Sequence, residues 1–263
     1  AFLLMLSIHK LIFNAPKPFE AAVRWGPFYI FLVGFVISLV TMFKGLKHLK
    51  IDLSIPESFL VATAIGILVA FIGKQAIRRV TVDEEEDKDF HFASVERVFA
   101  PMIVFTACAM AFAHGSNDVA NGVGPLAAVY GLVQSGGEVT HKLAMPFWIL
   151  ALGGFGIVLG LATYGYRVMR TIGGKITALT PTSGFCATVA AAITVVFASR
   201  TGMPVSTTHI AVGAVIGVGL ARGFAALDLR VIGSIFASWI VTLPAGGLLA
   251  AAFFFMIKGM FAP

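Results

Sequence analysis

Long apolar segments, separated by short polar ones, follow each other along almost the whole chain. Within them apolar and polar residues do not alternate, which excludes the strands of a membrane β-barrel, each about ten alternating residues long. A membrane-spanning helix needs about 20 mostly apolar residues. The pattern therefore predicts spanning helices at 26–43, 56–73, 95–113, 145–168 and 228–261. Residues 1–13 are too few to span, and we expect a truncated helix there.

Two further apolar segments, 182–199 and 206–221, are slightly short for spanning helices and are joined by six residues that include Pro204. They predict a re-entrant helical hairpin from Thr182 to Ala221, because non-helical backbone at membrane depth is tolerated where it lines a cavity. The alternative is that both helices cross fully and the tip is an ordinary loop. Glycines at 115, 122 and 124 and Pro125 predict a break in the third helix, which resumes over 126–133.

The polar segments predict the connections between these helices. Residues 14–25 read as a surface linker, 134–142 as a loop, and 74–92, with six acids between 83 and 89, as a solvated loop. The alternative, that the acidic run is a cation site, is disfavoured because nothing in the sequence there fixes the geometry of the ligands. Basic residues occur in nearly every loop, so the sequence predicts no membrane orientation.

The composition also indicates an integral membrane protein. The chain is 58% hydrophobic and 12% charged, with a mean hydropathy of +0.93, whereas a soluble domain is about 25% charged. The net charge of +6 does not indicate nucleic-acid binding, because the basic residues lie between apolar segments, as in loops at a membrane surface. Cys108 and Cys186 both lie in apolar segments and support no disulfide or metal framework.

Asp118 is the single acid of the 13 that the sequence embeds in an apolar segment. A charge at membrane depth costs several kcal/mol, roughly 2.5–3.5 on insertion scales, so it indicates a functional site. Ser116, Asn117 and Asn121 add oxygen ligands, and carbonyls of a broken helix could complete a sodium-type site. The alternative is a helix N-cap, a position at which Asn and Asp are favoured.

A second polar cluster, Ser206, Thr207, Thr208 and His209, follows Pro204. The N-terminus of a helix offers unpaired N–H groups and suits an oxyanion, and hydroxyl donors add to it; capping is again the alternative. Arg200 either snorkels or pairs with Asp118. His209 is either a packed residue or a proton carrier. Ser206 with His209 lacks an orienting acid, and no HExxH stands in the chain, so we predict no enzyme.

Three motifs follow one another along the chain, namely HGSNDVANGVGPLAA from His114, PTSGF from Pro181 and PVSTTH from Pro204. In these motifs and in their order the chain resembles the inorganic phosphate transporter (PiT) family. The family carries phosphate with sodium or protons and is built from two inverted halves, each with both an Asn-Asp and a Ser-Thr-Thr-His motif. One copy of each stands here. The resemblance thus implies an all-α polytopic bundle that is the carboxyl half of a transporter. Residues 1–94 would then form a truncated helix, two spanning helices and the central loop. Residues 95–263 would form the second repeat.

The resemblance also assigns residues. It implies that Asn117, Asp118, Ser206, Thr207 and Thr208 bind phosphate, and that Asp118, Asn121 and Ser183 lie at or near the coupling cation. No cofactor is expected beyond that coupling ion, sodium or a proton. Because Asp118 beside phosphate is repulsive by itself, we hypothesise that the cation bridges the two and that phosphate binds well after sodium.

The function predicted is secondary active transport of inorganic phosphate by alternating access. Sulfate transport within the same family and a non-transporting anion-binding subunit are the alternatives. The expected partners are phosphate, sodium, the lipid bilayer, and either a missing amino-terminal half or a second copy of the chain; a homo-oligomer is left open, and no nucleic acid is expected. We expect an integral protein of a bacterial plasma membrane.

Overall fold

In a computed structural model the protein is a bundle of helices, and the structure describes residues 1–44, 54–80, 92–137 and 146–261. No strand occurs in these ranges, which confirms the all-α prediction. The helices are α1 (Phe2–Phe13), α2 (Pro18–Lys44), α3 (Ile55–Ile77), α4 (Ala93–Gln134), α5 (Phe147–Gly174), α6 (Pro181–Thr201), α7 (Thr207–Arg222) and α8 (Leu229–Phe261). Among the described residues, six helices are long and apolar enough to cross a membrane. The other two described helices, α1 and α7, are shorter apolar helices.

Helix α4 runs without interruption through Gly115, Gly122, Gly124 and Pro125, so the predicted break is wrong. Glycine costs about 1 kcal/mol and proline about 3 kcal/mol relative to alanine inside a helix. An interrupted helix in lipid costs more, because each backbone group without a partner costs several kcal/mol. The helix therefore persists, and the carbonyls of a broken helix are not available to the site as predicted.

Other helix ends lie outside the predicted bounds. Helix α2 already begins at Pro18, inside the predicted linker, because proline is tolerated in the first turn, where its missing N–H would have no partner. Helix α3 extends to Ile77, and α5 continues to Gly174 with π-helical turns at Leu161–Gly165 and Thr171–Lys175. The acidic run 83–89 and most of the predicted loop 134–142 lie outside the described residues.

The main core is formed by α1, α2, α4, α6 and α7. Phe185 on α6 packs edge-on against Tyr29 of α2 and Phe99 of α4, at ring centroid distances of 6.4 and 5.5 Å. The Tyr29 hydroxyl is hydrogen-bonded to Ser7 Oγ of α1 at 2.5 Å. Helix α6 is mostly buried, whereas no residue in the apolar window of α8 is fully buried. The core thus joins parts of 1–94 and 95–263, and the division between them stays a prediction.

Helices α6 and α7 form a helical hairpin, but its re-entrant position in a membrane stays a prediction, because α6 is itself long and apolar enough to cross. They pack side by side, and Arg222 Nη1 at the end of α7 donates to the Ala178 carbonyl just before α6, at 2.5 Å. The chain therefore enters and leaves the hairpin at one end of the bundle. Helix α7 has 16 residues, which corresponds to about 24 Å, less than the hydrocarbon core of about 30 Å.

Basic side chains gather at this end of the bundle, which we call the basic end. It comprises the starts of α2, α4, α6 and α8 and the ends of α1, α3, α5 and α7, as shown by the contacts Phe13–Phe92, Gly26–Ile77, Glu96–Thr182 and Ile176–Asp228. Of the basic side chains that the structure describes, all but Lys258 belong to the segments nearest this end: Lys10, Lys17, Arg24, Lys74, Arg78, Arg79, Arg97, Arg167, Arg170, Lys175, Arg222 and Arg230.

Candidate functional site

The Asn-Asp motif and the hairpin tip meet in the structure. Asn117 and Asp118, in the second half of α4, lie against Val205 and Thr207, where α7 begins. Asn121 follows one helical turn later and reaches the same tip. Residues three and four positions apart share a face of a helix, which explains why the spacing of the motif presents these side chains together.

The carboxylate of Asp118 is the centre of this cluster. Thr207 Oγ1 lies 3.0 Å from both carboxylate oxygens and donates its hydroxyl to them. His114 Nε2, one turn earlier on α4, lies 2.6 Å from Oδ2, and Asn117 Nδ2 donates to Oδ1 at 3.2 Å. Thr207 is buried, whereas the side chain of Asp118 keeps 30% of its surface exposed. One side of the carboxylate is therefore open to a ligand.

The two amides of the motif hold the hairpin tip. Asn117 Nδ2 donates to the Val205 carbonyl at 2.9 Å, and Asn121 Nδ2 donates to the same oxygen at 3.1 Å. Val205 stands immediately before the N-cap of α7. These contacts across 88 and 84 positions of the chain fix the start of α7 against α4.

The other members of the Ser-Thr-Thr-His motif line the start of α7. Ser206 is the N-cap, and its Oγ accepts the backbone N–H of His209 at 3.3 Å. Thr208 is exposed next to it. The ring of His209 lies 3.9 Å, centroid to centroid, from that of Trp239 on α8. Ser206 is thus bonded to the main chain of His209, and the arrangement shows no pairing of its hydroxyl with the imidazole.

Ser183 is not brought to this cluster. It is buried at the start of α6, where its Oγ accepts the N–H of Thr180 at 2.8 Å and donates to the Thr180 carbonyl at 3.1 Å. Its neighbour Thr182 bonds to Glu96 in the first turn of α4. At a rise of about 1.5 Å per residue, Asp118 lies about 33 Å further along α4. A cation bound by Ser183 would need a position separate from that of Asp118.

Sequence reasoning missed two residues of these polar clusters. His114 opens the first motif but received no role, although its position four residues before Asp118 places both on one helix face. Glu96 also received no role; it stands in the first turn of α4, and its Oε2 accepts the Thr182 N–H at 2.7 Å and the hydroxyl of the buried Thr182 at 2.9 Å. The side chains of Ser116 and Arg200 lie outside what the structure describes.

The cluster combines features that suit a cation and an oxyanion. A partly open carboxylate with amide oxygens nearby is a hard-cation ligand set. The start of a 16-residue helix, with the Thr207 and Thr208 hydroxyls, suits an oxyanion. No group of three or more His, Cys, Asp or Glu that could hold a metal ion occurs in the described part of the chain, so a transition-metal site is not indicated there.

Known proteins similar to the chain are phosphate transporters. A "Putative phosphate permease" of Haemophilus influenzae is 46% identical over 99% of this chain and 62% of its own length. One of Pyrococcus furiosus is 42% identical over 97% of this chain and 60% of its own length. A solved structure, "The sodium-dependent phosphate transporter", has a TM-score of 0.84 at 36% identity and covers 98% of this chain and 62% of that one.

The chain thus spans about three fifths of the length of these relatives. The phosphate transporter family matches residues 1–250. Together with the apolar helices, this match confirms the expectation of an integral membrane protein, and the matched family is one of transporters rather than enzymes. A bacterial plasma membrane agrees with the Haemophilus relative. The chain belongs to the phosphate transporter family.

Proposed function

We propose that this chain forms a phosphate and cation site of a secondary transporter that moves inorganic phosphate across a membrane together with sodium, or with protons in its place. The observation that carries the proposal is the pair of bonds from Thr207 Oγ1 to the Asp118 carboxylate at the start of α7. An oxyanion position and a cation position thereby share one hydrogen bond donor. Family membership and the sodium-dependent structural relative support the substrate and the ion.

Electrostatics gives the order of binding. A phosphate oxyanion at about 5 Å from the Asp118 carboxylate would be repelled by about 3 kcal/mol per unit charge at an effective dielectric constant of about 20. That energy corresponds to roughly a hundredfold loss of affinity. A sodium ion on the carboxylate removes the repulsion. Phosphate therefore binds well after the cation, and the two ligands are coupled by a free energy of this size.

The Thr207 hydroxyl makes the coupling specific. Without a cation it donates to Asp118, so it is not available to a phosphate. A cation on the carboxylate competes for the same oxygens and releases the hydroxyl, which can then donate to a phosphate oxygen at the start of α7. Sodium thus offsets the repulsive charge of Asp118 and also makes the Thr207 hydroxyl available as a hydrogen-bond donor to phosphate.

Equilibrium binding of labelled phosphate to the purified full chain, in sodium and in choline, tests the proposal. We expect Asp118→Asn to lose the sodium stimulation, because the charge that sodium offsets is gone. We expect Thr207→Val, which removes the hydroxyl at nearly constant volume, to weaken binding by about 10- to 100-fold, the effect of a hydrogen bond to a charged group. Thr207→Ser, which keeps the donor, is the matched control.

Two outcomes would count against the proposal. One is unchanged sodium stimulation in Asp118→Asn, and the other is equal binding by Thr207→Val and Thr207→Ser. Sulfate, the alternative substrate, is tested as a competitor in the same assay. If sulfate displaces labelled phosphate at equal or lower concentration than unlabelled phosphate does, the sulfate assignment replaces the phosphate one.

Alternating access is the transport mechanism we propose. The tip of the hairpin is held to α4 through the Val205 carbonyl, so α7 and the second half of α4 would move as one unit around the ligand. Uptake of labelled phosphate into proteoliposomes that contain this chain, with an imposed sodium gradient, tests for transport. The expected partner, a missing amino-terminal half or a second copy, stays a prediction; uptake that requires co-expression of that half would support it.

A further inference from the structure

An apolar crevice lies between α2, α3 and α4, away from the candidate site. Its volume is about 230 Å³, and its walls are apolar side chains such as Ile30, Val69, Ala76 and Met102. Thr106 also lines the crevice, and its Oγ1 is already bonded to the Ile103 carbonyl and to Thr188 Oγ1, at 3.0 and 2.8 Å. No polar atom is thus offered to water there.

The crevice is suited to a hydrocarbon. A dry apolar cavity of about 150 Å³ accepts benzene, and a site without polar partners does not hold ordered water. The crevice is larger than that and is not enclosed. Neighbouring side chains such as Ile72 and Phe105 are exposed, as expected for helices that face lipid. A hydrocarbon chain from the surrounding bilayer is therefore the occupant that the walls suit.

Charge lies next to the crevice at the basic end of the bundle. Ala76 and Ile77, which line the crevice, are followed at once by Arg78 and Arg79, both exposed. Lys74, also exposed, lies one turn earlier on α3. Basic residues at the membrane surface attract anionic lipids by about 1 kcal/mol each, and basic pockets between transmembrane helices bind lipid headgroups.

We propose that this crevice and these basic residues form a binding site for one anionic phospholipid. One acyl chain lies in the crevice between α2, α3 and α4, and the headgroup phosphate is bound by Arg78 and Arg79 at the end of α3. The site combines an apolar crevice with positive charge at one end, and an anionic lipid matches both features. Free phosphate would not fill the crevice, and an uncharged detergent would not use the positive charge. The proposal does not depend on phosphate transport.

Native mass spectrometry of the full chain tests the proposal. The protein is extracted in mild non-ionic detergent from vesicles of equal parts phosphatidylcholine and phosphatidylglycerol, and the phospholipid that stays bound is identified by mass. We expect one phosphatidylglycerol to be retained, several-fold more often than phosphatidylcholine. In the double variant Arg78→Gln/Arg79→Gln, we expect that preference to be lost.

Two further variants separate the crevice from general charge effects. Ala76→Leu places a larger side chain in the crevice and should reduce retention of both lipids, whereas Ala64→Leu, at an exposed position of the same helix outside the crevice, should not. Arg170→Gln removes an exposed basic residue of α5 near the same end and should leave the preference intact. Equal retention of both lipids by the unaltered chain, or an unchanged preference in the double arginine variant, would overturn the proposal.

Discussion

At the scale of single residues, Asn117 and Asn121 share one acceptor, the Val205 carbonyl. If either amide is removed, the carbonyl keeps the other donor, so Asn121→Ala should cost less than about 1 kcal/mol, and Asn117→Ala should cost more because its amide also donates to Asp118 Oδ1. Removing both leaves the carbonyl without these donors and should cost about 1–3 kcal/mol more than the sum of the single changes. The measurement is the thermal unfolding midpoint of the detergent-solubilised chain for the two single variants and the double variant.

The control for this comparison of single and double variants is Thr194→Ala combined with each asparagine variant. Thr194 Oγ1 bonds to the Ala190 carbonyl within α6, away from the tip, so these pairs should be additive. Additive effects of the Asn117 and Asn121 variants themselves would show that the two amides do not support each other at the tip.

Ser183 provides a second prediction at this scale. Because its hydroxyl bonds to Thr180 at the start of α6, Ser183→Ala should lower stability by about 0.5–2 kcal/mol, as the loss of a helix cap does. It should leave the sodium stimulation of phosphate binding unchanged, since Asp118 is far along α4. The measurements are thermal unfolding and phosphate binding in sodium and in choline. Loss of the sodium stimulation alone would show that Ser183 acts at the coupling cation.

The sequence predicted the contacts at the centre of the candidate site better than those around it. An embedded carboxylate and a polar helix start are recognisable because each is costly in an apolar chain, and the structure brings Asp118 and Thr207 into contact. That His114 approaches the carboxylate follows from helical spacing, but the predicted break in the helix obscured it. The bond between Glu96 and Thr182 joins positions 86 apart, and only tertiary packing reveals such a pair.

At the scale of elements, the glycines of α4 and α5 differ in what surrounds them. A Cβ at Gly122 would meet nothing within 4 Å, whereas a Cβ at Gly153 of α5 would collide with Val123 Cγ1 of α4. Gly122→Ala should therefore stabilise the chain by about 0.5–1 kcal/mol through helix propensity, and Gly153→Ala should destabilise it by about 1–3 kcal/mol through overpacking. Thermal unfolding of the two variants measures both effects.

The Gly122 result also tests whether α4 is continuous. If the helix were broken at this position, as the sequence alone predicted, alanine would bring no gain in helix propensity and the unfolding midpoint would stay or fall. Local glycine and proline signals failed here because they describe a chain in water, where a break is hydrated. The pairing of α6 with α7 could be predicted because its evidence, two apolar segments joined by six residues, depends on length and not on local propensity, whereas the re-entrant position of the pair stays a prediction.

At the scale of the whole molecule, the described part of the fold gathers at one end basic side chains that are scattered along the sequence. Basic residues stand in nearly every loop of the sequence, but folding brings twelve of the described basic side chains to the basic end and leaves Lys258 towards the other. Residues that are far apart in the chain thus lie at one end of the described bundle. Because cytoplasmic ends of membrane proteins carry an excess of Lys and Arg, we expect the basic end to face the cytoplasm.

Cysteine labelling tests this orientation. In a background with the exposed Cys108 changed to alanine and the buried Cys186 retained, Ala225→Cys places a thiol at the basic end and Gln134→Cys places one at the opposite end. A membrane-impermeant maleimide should label Gln134→Cys in intact spheroplasts and Ala225→Cys in inside-out vesicles. The reverse pattern would contradict the orientation. The expected pattern would place the crevice rim with Arg78 and Arg79 on the cytoplasmic leaflet, where anionic lipids are most abundant, so the orientation and the proposed lipid site support each other.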